Sequence, residues 1–276
     1  MKNKNPDSLE KALTATVAAA KAAGAVMRKN LMAEKKANEI TAHDIKLELD
    51  VRCQKLIEKK LHAAFPDVAL LGEEGDSGDE AAEYRWVVDP IDGTVNFAHG
   101  IPHAAVSIAL QRRVAISKTR STKSKTEIPE HETLVGVVYD PFQDELWTAI
   151  RGQPARMNGR VIRASNARHL KQCIVSIGFA KNRANLDRAL PYFIWLARRV
   201  MKIRMLGSAA LGMTYVASGR LDSYIERGIS LWDIAAGALI LECAGGKCWL
   251  EATPGRYKYR MIASNPHIHD KLPVPK

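Results

Sequence analysis

The stretch Trp86-Val87-Val88-Asp89-Pro90-Ile91-Asp92-Gly93-Thr94-Val95-Asn96-Phe97 turns a short apolar run abruptly into two aspartates, a proline, a glycine and a threonine. Val87 and Val88 are β-branched and follow Trp86, so they read as the end of a buried strand. Pro90 removes a backbone donor and biases Asp89 toward an extended conformation, while Gly93 permits a tight bend. Two carboxylates and a hydroxyl then crowd the tip of one strand. Crowded carboxylates repel, and one stays protonated unless a cation sits among them. The stretch asks for a metal.

The flanking chain alternates helix and strand. Toward the N-terminus, Leu9, Leu13, Val17, Ala20, Gly24 and Met27 recur at helical spacing, predicting a helix over Asp7 to Leu31 with Asp7 or Ser8 as N-cap. Ile40 to Leu49 alternates as a short strand or extended loop ending at Asp50, and Val51 to Ala64 reads as a second helix. Val68 to Leu71 is a short buried strand running into Gly72-Glu73-Glu74-Gly75. Beyond Phe97, strands are expected over Ala104 to Leu110, Leu134 to Tyr139 and Leu146 to Ile150, the last two as a hairpin. Ser117 to His131 is rich in Lys, Ser, Thr and Glu and reads as a flexible loop or hairpin tip.

The last third predicts strand Ile174 to Ile177, helix Leu186 to Val200, a strand around Ile203 and a helix over Ser208 to Ala217. Strand Leu221 to Glu226, helix Ile234 to Cys243 and strand Lys247 to Leu250 follow. The alternation implies layered α and β structure: one domain over 1–276, subdivided near residue 180 into 1–180, with most of the metal ligands, and 181–276.

Composition narrows the class. The 276 residues are 46% hydrophobic and 26% charged, ordinary for a globular protein able to bury a sizeable core. No apolar run approaches the ~20 residues of a membrane span. The N-terminus lacks the compact apolar segment of a signal peptide, so a cytoplasmic location is expected. Cys53, Cys173, Cys243 and Cys248 have no zinc-type spacing and read as incidental thiols in a reducing compartment. The net charge of +11 suits anionic small substrates; it also leaves nucleic acid open as a partner, although no aromatic-and-basic motif accompanies it.

Three acidic sites fall at element ends: Glu73-Glu74, the Asp89/Asp92 pair, and Asp233 at the start of a helix, where the dipole favours a carboxylate. Singly, each fits a plain structural role: loop acid, turn, helix-terminal acid. Jointly they supply hard oxygen ligands without histidine or cysteine, which suits Mg²⁺, or Mn²⁺ as substitute, rather than zinc. Two such ions about 4 Å apart can clamp a phosphate and activate a water for in-line displacement. Thr94, just beyond the turn, is the candidate group to orient that water.

Gly72-Glu73-Glu74, then Asp89-Pro90-Ile91-Asp92-Gly93-Thr94-Val95-Asn96-Phe97, then Trp232-Asp233-Ile234-Ala235-Ala236-Gly237 resemble, in order and spacing, the signatures of the inositol monophosphatase family of lithium-sensitive, Mg²⁺-dependent phosphatases. The resemblance spans roughly Leu9 to Ile268. It implies a layered α/β/α/β/α sandwich, a homodimer, and two to three Mg²⁺ ions with Li⁺ as inhibitor. It further implies that Glu73, Asp89 and the Ile91 carbonyl hold one ion, that Asp89, Asp92 and Asp233 hold a second, and that Glu73 holds a third through waters. Asp50 and Thr94 would form the catalytic couple on the water, with Glu73 assisting. Asp92, Gly93 and Thr94 would meet the phosphate, and Gly207, Ser208, Ala209 and Glu226 the rest of the substrate. One departure is Leu47, where the family commonly has Thr in an Asp-x-x-Thr-x-x-Asp segment; this chain keeps Asp44 and Asp50.

The implied reaction is hydrolysis of a small phosphate monoester, with inositol 1-phosphate expected. Fructose 1,6-bisphosphate, histidinol phosphate and a 3′-phosphoadenosine nucleotide are the alternatives within the superfamily. Outside it stands a nucleic-acid-associated regulatory role using Lys118, Arg120, Lys123 and Lys125.

Overall fold

In the computed structural model, residues 9–34, 37–40, 45–114, 131–179 and 183–274 are described. The chain opens with α1 (Leu9–Asn30), a β1 (Ala37–Ile40) and β2 (Ile45–Leu47) pair, and α2 (Glu48–Ala64). It continues with β3 (Ala69–Gly72), β4 (Tyr84–Asp92), the single turn α3 (Thr94–Ala98), β5 (Ala105–Arg113), β6 (His131–Asp140) and β7 (Glu145–Ile150). Two short strands follow, β8 (Arg156–Met157) and β9 (Arg160–Val161). The remainder is β10 (Ile174–Ile177), α4 (Arg183–Ala197), β11 (Lys202–Arg204), α5 (Ala209–Ala217) and β12 (Ser223–Ser230). It ends with α6 (Leu231–Cys243), β13 (Lys247–Ala252) and β14 (Lys258–Ser264).

Strands β3 to β9 form a seven-stranded sheet in sequence order, parallel only between β3 and β4. The second sheet has the order β11-β10-β12-β14-β13. Strand alternation sends side chains to both faces, and each face has its own helices. Trp86 and Val88 of β4 join Ala19, Ala23 and Met27 of α1 and Ile57 and Leu61 of α2. Val87, between them, points the other way into α5 and α6.

Those two helices also bury Tyr224, Ile229 and Met261 of the smaller sheet, whose far face is covered by Tyr192 and Leu196 of α4. The result is the α/β/α/β/α sandwich. A helix between two sheets must be apolar all round. In α6, Ile234, Ala236, Leu239, Ile240 and Leu241 are all buried, each large aliphatic contributing about 1.5–3 kcal/mol.

Several boundaries differ from the sequence reading. The second helix starts at Glu48, not Val51, because the Leu47 amide donates to Asp50 Oδ2 at 2.8 Å, so Asp50 sits inside the first turn and caps it. Strand β12 runs on to Ser230, past Glu226, because β14 pairs along its whole length through an irregularity between Arg227 and Ile229. Strand β14 itself was not expected. The N-cap at Asp7 or Ser8, Asp44, and the stretch 117–130 lie outside the described residues. Among the described residues, no helix is long and apolar enough to cross a membrane.

Candidate metal centre

Strand β4 carries Asp89 and Asp92 to its C-terminal end. Three residues apart on a regular strand, they would face opposite sides of the sheet. The ladder to β5 shifts between them: Asp89 faces Ser107 and Asp92 faces Ala105, so one extra residue is inserted on β4. Such a bulge re-aims side chains, and Pro90, with no N–H to pair, suits the inserted segment. Both carboxylates thereby reach one site. The Ile91 amide donates to Asp89 Oδ1 at 3.0 Å and steadies the first of them.

Asp233 arrives from the first turn of α6, where its Oδ2 accepts the Ser230 amide at 2.9 Å. Ser107, opposite Asp89 on β5, donates its hydroxyl to the Trp232 carbonyl at 3.1 Å and ties the start of α6 to the strand end. Sequence reasoning missed Ser107; its only signal is a lone hydroxyl in the apolar run Ala104 to Leu110. Oxygen atoms of Asp89, Asp92 and Asp233 lie within 4.8 Å of one another, the one such group among the described residues.

Asp92 has a second task. Its Oδ2 accepts from the Ser208 hydroxyl and from the Ala210 amide at 2.8 Å, and its Oδ1 from the Ala209 amide at 3.3 Å. A side chain from β4 thus serves the open N-terminus of α5, where amides otherwise lack partners. Ser208 is also the N-cap of that helix, accepting from the Leu211 amide at 3.3 Å. Ser208 and Ala209, expected at the substrate, are joined to Asp92.

Glu73 follows β3, with its amide on the Val88 carbonyl at 3.1 Å; its carboxylate acts electrostatically on Asp89 but stands outside the group of three. Asp50 also faces Asp89 electrostatically. Thr94 Oγ1 donates to the Ile91 carbonyl at 2.8 Å, which places the expected water-orienting hydroxyl on the expected carbonyl ligand. Gly93 joins Asp92 to Thr94 at φ 97°. Asn96, whose role the sequence did not reveal, donates to the carbonyls of His103 at 2.9 Å and Leu206 at 2.8 Å, and so holds the turn before Gly207 against α3. Glu226 is half-buried on β12, accepts the Tyr224 hydroxyl, and lies at the edge of the acidic site: Asp92 and Asp233 both act on that tyrosine.

Burial pushes the Asp89 carboxyl well above its usual range, and Glu73, Asp92, Asp233 and Asp50 push it further. Burial and Asp233 raise Asp92 from 3.8 to about 7, against the opposing pull of Ser208, Ala210 and Ala209. Three close oxygen-only donors, of which Asp89 and Asp92 are buried and disfavoured as anions, fit a hard divalent cation.

The metal-free protein should lose stability as pH rises toward neutrality. Its folded state holds a proton on Asp92 between about pH 4 and pH 7 that the unfolded state has lost, so stability falls as pH rises through that window. Saturating Mg²⁺ at pH 7.5 is expected to raise the unfolding midpoint by roughly 5–10 °C, as ligand binding at about 100 Kd would. Thermal melts with Mg²⁺ and with chelator across pH 4 to 8 check both; a midpoint indifferent to Mg²⁺ would count against the site.

A family model described as the inositol monophosphatase family matches residues 8–117 and 126–272. The gap between the two segments falls in the Lys- and Ser-rich stretch. The chain is 40% identical over 215 residues to a Nus factor SuhB from Pseudomonas aeruginosa, covering 76% of this chain and 73% of that one. It is 37% identical over 232 residues to an inositol-1-monophosphatase from Rhizobium meliloti, with 82% and 80% covered. The crystal structure of the extragenic suppressor protein suhB from Bartonella henselae superposes with a TM-score of 0.82 at 34% identity, covering 95% of this chain and 96% of that one. The layered fold is that of the solved structures of this class. The chain belongs to the inositol monophosphatase family.

Proposed function

We propose that this protein hydrolyses a small phosphate monoester with Mg²⁺, inositol 1-phosphate being the substrate, and that Li⁺ inhibits it. The observation that carries the reading is the convergence of Asp89, Asp92 and Asp233 within 4.8 Å. These three, with Glu73 and the Ile91 carbonyl, would hold the cation. Bound there, Mg²⁺ supplies positive charge for the phosphoryl oxygens and acidity for a water.

The protein's own groups then divide the remaining work. Thr94 and Asp50 orient the attacking water; both are anchored, Thr94 on Ile91 and Asp50 on the Leu47 amide, so little freedom is lost on binding. Gly93, whose φ of 97° an L side chain adopts only under strain, makes the bend whose backbone amides would meet a phosphate beside Thr94. Glu226, oriented by Tyr224, accepts hydrogen bonds from the hydroxyls of a polyol.

The test is phosphate release from a panel under Mg²⁺: inositol 1-phosphate, fructose 1,6-bisphosphate, histidinol phosphate and a 3′-phosphoadenosine nucleotide. Inositol 1-phosphate is expected to give the highest kcat/KM. Release from another member would change the substrate but keep the chemistry; silence of the whole panel would remove the enzymatic reading. That silence, with salt-sensitive RNA binding, would favour the nucleic-acid-associated role that the +11 charge and the Nus-factor name of the P. aeruginosa relative support.

A further inference from the structure

Helix α2 presents Gln54 and Glu58, four residues apart and therefore on one stripe, to the Glu73 loop. Gln54 is 6% exposed, and both ends of its amide are used: Nε2 donates to the Gly75 carbonyl at 2.8 Å, and Oε1 accepts the Glu74 amide at 2.9 Å. One turn on, Glu58 Oε1 accepts the Ser77 hydroxyl at 2.5 Å. Gly72 is what admits the amide, since a Cβ there would lie 2.4 Å from Gln54 Oε1.

The backbone around Glu73 is thus held on both sides. Its own amide is on Val88, the neighbour of Asp89, and the next amide is on Gln54. Outside the loop, Arg256 pairs with Asp76 at 3.4 Å and with Glu80 at 2.6 Å. Those exposed pairs contribute little; the buried amide is the clamp.

We propose that Gln54 is a positioning residue that aims Glu73 at the acidic cluster and so sets the affinity of that cluster for a divalent cation. The inference rests on the metal-dependent reading above. A carboxylate at position 54 could not donate to Gly75, and would add charge beside a site already crowded with it. An apolar side chain would leave the Glu74 amide and the Gly75 carbonyl without their partner, and the loop would lose its fixed angle.

Mn²⁺ binding measured by electron paramagnetic resonance on the full chain, without substrate, tests this. Gln54→Met is expected to weaken Mn²⁺ at least tenfold, the order seen when groups behind metal ligands are removed. Its half-saturation for Mg²⁺ should rise while kcat at saturating Mg²⁺ recovers, a split that a merely structural role would not produce. Gln54→Glu, which keeps the bond to Glu74, should weaken Mn²⁺ less, and it serves if the methionine variant does not fold. Unchanged Mn²⁺ affinity in the folded variants, with the wild type binding normally, would overturn the role of Gln54. Failure of the wild type to bind Mn²⁺ would instead overturn the metal-dependent reading and this inference with it.

Discussion

Asp92→Asn is expected to abolish phosphate release while the fold survives. Asp92 is the side chain on which two demands converge: a ligand position in the acidic group, and acceptance of two amides and a hydroxyl from the start of α5. The amide keeps one acceptor oxygen, enough for part of the helix contact, but it loses the charge and turns a donor toward groups that themselves donate. Loss of a cation-binding carboxylate should lower kcat/KM by about a thousandfold or more, roughly 4 kcal/mol of barrier.

The stability effect has the opposite sense in metal-free protein. Above about pH 7, where the chelated wild type has lost the Asp92 proton, a neutral residue there spares Asp89 and Asp233 one repelling charge, so the chelated variant should melt no lower than the chelated wild type, apart from the weakened cap. Its midpoint should no longer rise with Mg²⁺. Steady-state kinetics and paired melts decide the matter; a variant keeping a tenth of the activity would remove Asp92 from the catalytic site.

Gly93→Ala should carry a large stability penalty for one added methyl group. Gly93 sits at φ 97° and ψ 35°, left-handed backbone that an L side chain adopts only under strain. The new Cβ would lie 3.0 Å from the His103 carbonyl and 3.1 Å from that of Gly207, both backbone atoms that cannot swing away. Strain and contact together should cost about 2–3 kcal/mol, lowering the unfolding midpoint by roughly 5–10 °C.

Relief can come only by moving the Gly207 turn or the segment before β5. Either movement disturbs the two carbonyls that Asn96 holds and the Ser208 hydroxyl that Asp92 accepts. Activity should therefore fall at least about tenfold even well below the melting temperature, as a displacement near 1 Å does elsewhere. A midpoint within a degree of wild type would show that the turn accommodates the methyl group.

Much of this was legible in the chain because its signals are local. Asp89, Asp92, Gly93 and Thr94 are neighbours, and Pro90 and Gly93 mark a bend whatever surrounds them. Helices α1, α5 and α6 follow from apolar periodicity or from continuous apolar composition. Other features carry no local mark. Ser107, Asn96 and Gln54 are ordinary polar residues until the fold shows what each holds: α6, the Gly207 turn and the Glu73 loop. Strand β14 was missed because its identity comes from pairing with β12 and β13, not from its own pattern.

The sequence by itself determined the chemical inventory: hard acidic ligands, a hydroxyl at a turn, no soft donors among them, and the layered order of elements. Only the tertiary structure decided which acids meet. A bulge turned Asp89 and Asp92 toward one site when strand periodicity would have separated them. The packing of α6 between two sheets brought Asp233 from the far end of the chain to join them. Side-chain identity is written residue by residue, but convergence depends on register and packing, which are properties of many residues at once.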